Sequence, residues 1–180
     1  MRIIGGRLGG RILPFPKHFS SRATTDVAKE ALFNILDNVW DYRGLYVLDL
    51  FAGTGNISYE FTSRGCERVV AVEHIGKNAA FIRDTARDFE MQELQVLKTD
   101  ALKYITNAPE SYDLVFADPP YDAEFVATLP NRILESHLMA PNAWFVLEHS
   151  KFHAFGDHPW LFDQRKYGHV FFSFFRKNTD

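Results

Sequence analysis

The sequence predicts an α/β fold built on a doubly wound, mostly parallel sheet of seven strands, with an antiparallel strand at its edge. Three observations lead there. Apolar runs recur at LYVLDL (45–50), RVVAVE (68–73), LQVLKTD (94–100), YDLVFAD (112–118) and AWFVLEH (143–149), and a helical stretch follows each of the first four. The runs are β-branched or apolar throughout rather than alternating, as in strands buried on both faces, and such strands belong to parallel sheets. Connections of a few residues between strand and helix wind right-handed crossovers onto one sheet.

The elements follow in order. Residues 1–13, MRIIGGRLGGRIL, hold two short β-prone pieces broken by paired glycines, which predicts a small hairpin or arm. Pro14 and Pro16 make residues 14–22 an extended linker. Thr24, Thr25 and Asp26 can cap a helix, and Val27, Ala31, Leu32, Ile35, Leu36 and Val39 follow at helical spacing up to Gly44. Helices are expected over 56–64, 77–90 and 123–139, with a short one after the third strand. The tail leaves this rhythm: 161–166 and 169–176 predict two strands joined across Tyr167-Gly168. Phe172 and Phe174 then share one face of the last strand, and Phe171 and Phe175 the other, as core residues rather than stacking residues.

A chain of 180 residues holds one domain with a small appendage, divided here into a basic arm and linker over 1–25 and a main α/β domain over 26–180. Its 46% hydrophobic content excludes disorder as the main state. The net charge of −3 hides a split. Residues 1–25 carry Arg2, Arg7, Arg11, Lys17 and Arg22 and no acid, while the other 155 residues hold 15 basic and 23 acidic side chains. Glycine-interleaved cations suit phosphate tracking, and a solvated hairpin with basic decoration is the plainer alternative. Cys66, the one cysteine, cannot form an internal disulfide, and nothing resembles a signal peptide or membrane span. The expected setting is the cytoplasm. The histidines are scattered; Glu148, His149, His153 and His158 come nearest to a cluster, and no metal is expected.

In open α/β sheets ligands bind beyond the carboxyl ends of the strands. The first strand ends in Asp49-Leu50-Phe51-Ala52-Gly53-Thr54-Gly55. Gly53 and Gly55 let backbone approach a ligand above a helix N-terminus. A dinucleotide reading fits poorly: Ser58 stands at the third glycine position, and the Asp49 carboxylate repels phosphate. A cation is welcome there, and S-adenosylmethionine carries two positive centres and no phosphate. Glu73 ends the second strand twenty positions after Gly53, where an acid can accept both ribose hydroxyls. Asp100 ends the third, where a carboxylate can accept from an adenine amino group; singly, each acid could instead be a helix cap.

The fourth strand ends in Asp118-Pro119-Pro120-Tyr121. Two prolines fix the backbone and remove two N–H donors, which leaves a rigid set of acceptors beside an aromatic ring. Such a set suits an exocyclic amine: accepting its protons pulls the nitrogen out of conjugation and frees its lone pair for in-line attack on a sulfonium methyl. Tyr121 offers a stacking face for a flipped base. Cys66 lies away from the strand ends and is no nucleophile. Glu148-His149-Ser150, at the end of the fifth run, suits a substrate contact or a structural role equally.

DLFAGTG, the VE of the second strand, the TD of the third and DPPY together resemble the class I S-adenosylmethionine-dependent methyltransferases acting on amino nitrogen, a Rossmann-like fold. The opening MRIIGG, the segment RATTDVAKEALFNIL and its spacing to DLFAGTG resemble the bacterial 16S rRNA guanine-N2 methyltransferases of the RsmD type over essentially the whole chain. The resemblance implies methyl transfer to guanine N2 in 16S rRNA or the small ribosomal subunit, leaving S-adenosylhomocysteine. It puts the cofactor among Asp49, Phe51, Ala52, Gly53, Gly55, Asn56, Glu73, His74, Asp100, Ala101 and Asp118, and the guanine amine on Asp118 to Tyr121. Substrate contacts fall to Arg2, Arg7, Arg11, Arg22, Thr24, Thr25 and Tyr121. Ala23 and Val27 depart from the family's proline and arginine. DPPY is shared with adenine-N6 methyltransferases of DNA, so that activity, on DNA or another RNA, is the first rival. A non-catalytic RNA-binding protein is the second. A monomer is expected.

Overall fold

The structure, a computed structural model, describes residues 1–15 and 24–177. Arg22 and Lys17 lie outside the described residues. Seven strands form one sheet: β1 (Tyr46–Leu50), β2 (Arg68–Glu73), β3 (Leu94–Lys98), β4 (Tyr112–Ala117), β5 (Met139–His149), β6 (Leu161–Tyr167) and β7 (Val170–Phe175). Their order is β3-β2-β1-β4-β5-β7-β6. The five central strands pair in parallel. Strand β7 runs against both neighbours, β5 and the edge strand β6, so the reversed strand sits one place in from the edge.

Period-2 geometry explains the uninterrupted apolar runs. Along β1 and β2, Val47, Val69 and Ala71 point into one core, and Leu48, Leu50, Val70 and Val72 into the other. The helices α1 (Asp26–Asp37), α2 (Asn56–Ser63) and α3 (Gly76–Asp88) cover the first face, and α4 (Ala101–Asn107) and α5 (Leu129–Leu134) the second. The C-terminal phenylalanines divide the same way: Phe172 and Phe174 join the first core and Phe175 the second.

The helix expected over 123–139 is two pieces, a 3-10 segment at Glu124–Thr128 and α5. Pro130, which has no N–H to donate, starts the second piece. The fifth strand begins at Met139 rather than 143, with its register against β4 shifted and Asn142 in the left-handed region at φ 63°. The third strand stops at Lys98, so Asp100 falls beyond it.

Residues 1–13 fold back on themselves through an Arg2–Ile12 bridge, with Ile3 N–H donating to Arg11 O at 2.9 Å and Leu13 N–H to Met1 O at 2.8 Å. Ile3, Leu8 and Leu13 bury into the first core, which holds the segment against α2. Leu8 N–H donates to Ser63 Oγ at 3.0 Å. A Cβ on Gly6 would lie 1.9 Å from the Ser63 carbonyl oxygen, so only glycine allows this approach.

A buried ion pair secures the same junction. Lys29 and Glu60, both with fully buried side chains, stand 3.4 Å apart. Glu60 also accepts from the backbone N–H groups of Ile4 and Gly5 at 2.9 and 2.8 Å, and Arg64 pairs with it at 3.1 Å. Lys29 donates to Arg2 O at 2.6 Å and to Asn56 Oδ1 at 2.8 Å. Burial nonetheless pulls the Lys29 ammonium below its ordinary pKa, with Glu60 opposing the shift.

Candidate active site

At the carboxyl end of β1 the chain turns sharply. Phe51 takes φ 63°, an uncommon conformation for a large side chain, and its ring stacks on Phe125 with centroids 5.7 Å apart. Ala52 N–H donates to Val72 O at 2.9 Å, which pins the turn to β2. Gly55, at φ 81°, opens α2; a Cβ there would meet the Tyr59 ring at 2.6 Å. Glycine thus stands at the position of the turn where a side chain would meet Tyr59.

A cavity of about 380 Å³ lies over the ends of β1, β2 and β4. Asp49, Phe51, Gly53, Glu73, Asp118 and Tyr121 all line it. So do Thr24, Ala52, Asn56 and His74, together with Pro119 and Pro120. Gly55 shapes the turn without lining the cavity. Asp100 and Ala101 are also outside the lining: Asp100 caps α4 by accepting from Lys103 N–H at 2.9 Å. Arg2 and Arg11 sit exposed on the N-terminal segment. Arg7 is engaged with Glu93 at 3.2 Å and Glu90 O at 3.0 Å. Thr25 caps α1 by accepting from Ala28 N–H at 3.2 Å.

The acids around the cavity are held in different ways. Glu73 accepts from Gly53 N–H at 2.8 Å and Ile75 N–H at 2.7 Å, so the glycine turn and the start of α3 are both fastened to it. Asp49 is buried and accepts from Ser58 Oγ–H. Burial pushes its carboxyl up to about 7; the Ser58 hydrogen bond opposes the rise and the Glu73 charge adds to it. Asp118 lies deep among protein atoms yet keeps a face on the cavity. Burial raises its carboxyl well above the carboxylate range, and the Glu148 and Asp49 charges raise it further. Glu148 is raised by burial as well, against the hydroxyls of Thr24 and Tyr121, which donate to it at 2.7 and 3.0 Å. Among the described residues no cation offsets Asp49, Asp118 or Glu148. The cavity is thus electrostatically matched to a positively charged ligand. Cys66 is buried, with its thiol pushed up to about 12, and carries no chemistry here.

Ile75 and Asn78, at the start of α3, line the cavity and were missed; the available signal was their place just after the acid that ends β2. Asn56 is more than a wall residue. Its Nδ2 donates to Thr24 O at 3.2 Å while its Oδ1 accepts from Lys29, so it joins the first turn of α2 to the segment before α1. Among the described residues no group of three or more His, Cys, Asp or Glu side chains is set to hold a metal ion. No helix among them is long and apolar enough to cross a membrane.

The family described as conserved hypothetical protein 95 matches residues 1–176. A Bacillus subtilis protein named as a candidate rRNA methyltransferase is 32% identical over 155 residues, which is 84% of this chain and 83% of that one. A Haemophilus influenzae ribosomal RNA small subunit methyltransferase D is 30% identical over 161 residues, covering 84% of this chain and 79% of that one. A solved hypothetical protein of Thermus thermophilus is 27% identical with a TM-score of 0.85, covering 97% of this chain and 98% of that one. The chain therefore has the class I methyltransferase fold and belongs to the conserved hypothetical protein 95 family, the RsmD type that its motifs resemble.

Proposed function

We propose that the protein transfers a methyl group from S-adenosylmethionine to the exocyclic N2 amine of a guanine in 16S rRNA of the small ribosomal subunit, leaving S-adenosylhomocysteine. The observation that carries this reading is the pair of carboxylates, buried Asp49 and half-buried Asp118, that no cation among the described residues offsets, on one cavity that also holds Pro119, Pro120 and Tyr121. The names of the relatives support an rRNA substrate.

The donor set fits the cofactor. Asp49 offers charge to a cation, and Glu73, already oriented by two backbone N–H groups, keeps acceptor capacity for hydroxyls. When bound, S-adenosylmethionine supplies an electrophilic methyl on sulfur. The chain's own part is to hold the nucleophile. Asp118 and the carbonyls fixed by Pro119 and Pro120 accept from the amine, which concentrates its lone pair on nitrogen. Tyr121 stacks against the flipped base. A sulfonium bound in the cavity favours the ionised form of Asp118, and its raised pKa then suits it to take up the proton that the methylated amine must lose.

The segment 1–25 is the RNA-facing part of the enzyme in this reading and 26–180 the catalytic domain, working as a monomer in the cytoplasm. Arg2, Arg7 and Arg11 are exposed on that segment, Arg7 already engaged with Glu93, and Lys17 and Arg22 lie beyond the described residues. The test is a labelled-methyl assay on small ribosomal subunits from cells lacking this protein, followed by nucleoside analysis. N2-methylguanosine supports the reading. N6-methyladenosine points to the rival activity, and no product points to a binding protein. Asp118→Ala is expected to abolish transfer while keeping most of the cofactor affinity; near-normal turnover in that variant removes the amine-binding role.

A further inference from the structure

We infer that Glu148 is a positioning residue for the target base, one carboxylate that ties the segment before α1 to the amine-binding loop. The inference rests on the reading of Asp118 to Tyr121 as the amine site. Leu147 of β5 pairs with Ala117 of β4, so the next residues, Glu148 and Asp118, leave adjacent strands side by side. Glu148 also pairs with Phe172 of β7, and its backbone is therefore locked between two strands. His149 beside it is fixed through Nε2 to Ser173 Oγ at 2.7 Å. Glu148 as a whole is only 1% exposed.

Its two hydrogen-bond partners lie on loops. Thr24 donates to one oxygen at 2.7 Å and Tyr121 to the other at 3.0 Å. Thr24 is held in turn by Asn56, and Asn56 by Lys29. A continuous set of hydrogen bonds thus runs from the glycine turn, through Thr24 and Glu148, to the ring on which the base stacks. No cation among the described residues pairs with Glu148, and a buried carboxylate so placed costs more than a close-packed apolar side chain. The geometry gives the acid a use: a strand end locked in the sheet supplies two acceptors that fix Thr24 and Tyr121 relative to each other. A misplacement of the reacting amine by about 1 Å is enough to slow transfer by about 100-fold.

The test uses small ribosomal subunits from cells lacking this protein, with labelled S-adenosylmethionine. Glu148→Ala is expected to lower kcat about 10- to 100-fold at saturating subunits, with cofactor affinity changed less than about threefold. Glu148→Gln is expected to recover most of the turnover, because an amide can accept from one hydroxyl and donate to the other. The double variant Glu148→Ala/Tyr121→Phe is expected to be no slower than the worse single variant, since both remove one shared bond. Multiplying effects, a Glu148→Gln chain as slow as Glu148→Ala, or a matching loss of cofactor affinity would each overturn the role. Tyr121→Phe and Thr24→Val leave Glu148 in place and keep the comparison open if Glu148→Ala fails to fold. Each should lower kcat with cofactor affinity kept, and wild-type turnover in both defeats the inference. Full turnover in Asp118→Ala defeats the amine-site reading itself, whereas an inactive Asp118→Ala beside uncoupled Glu148 and Tyr121 defeats only the role of Glu148.

Discussion

Asp49→Asn separates what the cavity needs for stability from what it needs for its ligand. The Asp49 carboxyl moves from an ordinary 3.8 to about 7 on folding, chiefly through burial. A carboxyl with the higher pKa in the folded state binds its proton more tightly there. The ligand-free fold therefore keeps this stabilisation in full below about pH 4 and loses it as the pH rises through about 7. At about 1.4 kcal/mol per pH unit the loss is roughly 4 kcal/mol, an upper bound because the group relaxes and hydrates. Asparagine keeps the Ser58 hydrogen bond and has no proton to lose. Urea unfolding of both ligand-free proteins across that range should show Asp49→Asn gaining on the wild type as the pH rises, with a plateau above about pH 7. Cofactor affinity should move the other way, the variant binding about 10- to 100-fold more weakly, in line with about 1.5–3 kcal/mol for a charged hydrogen bond. A stability difference that stays flat across the pH range would refute the reasoning, because Asp49 would then ionise as freely in the fold as in the unfolded chain.

Two further outcomes follow from the same structure. Lys29→Met strands the buried Glu60 carboxylate and should cost about 3–5 kcal/mol in urea unfolding, or roughly 6–20 °C in Tm for a chain of this size; adding Glu60→Gln should recover part of it, and a loss below about 1 kcal/mol counts against a buried ion pair. Arg2→Ala and Arg11→Ala should each reduce the salt slope of RNA binding by about 0.7–0.9, and Arg7→Ala by less because Glu93 already holds it; unchanged slopes would take the segment off the phosphates.

The parts of the fold legible in the sequence are those where burial leaves a local mark. Strands covered on both faces are apolar along most of their length, so β1, β2 and β4 stand out, and with them the ends where Asp49, Glu73 and Asp118 gather. Asp100 looked equivalent because it also follows an apolar run. Its strand stops two residues earlier, though, and the carboxylate turns to its own helix. Lys29 and Glu60 were not legible at all. Each reads as an ordinary polar position of an amphipathic helix, and only the packing of α1 and the first residues against α2 brings them together. Val27 shows the same limit in reverse: its spacing puts it on the apolar face, yet it is 74% exposed while Lys29 is buried. Thr24 was singled out by motif, but its partner Glu148 stands 124 positions away and could be paired with it only in three dimensions.

The place of β7 bears on how the sheet is completed. Strand β6 meets the sheet only through β7, although β6 precedes it in the chain. Side chains reach past β7, however: the Phe162 ring of β6 packs edge-on against Trp144 of β5, with centroids 4.7 Å apart. The two strands form a hairpin that turns at Gly168, at φ 60°, and joins β5 through β7. Because β7 backs the strand that carries Glu148, loosening the hairpin at Gly168 is expected to soften the cavity end of β5 as well as the edge of the sheet.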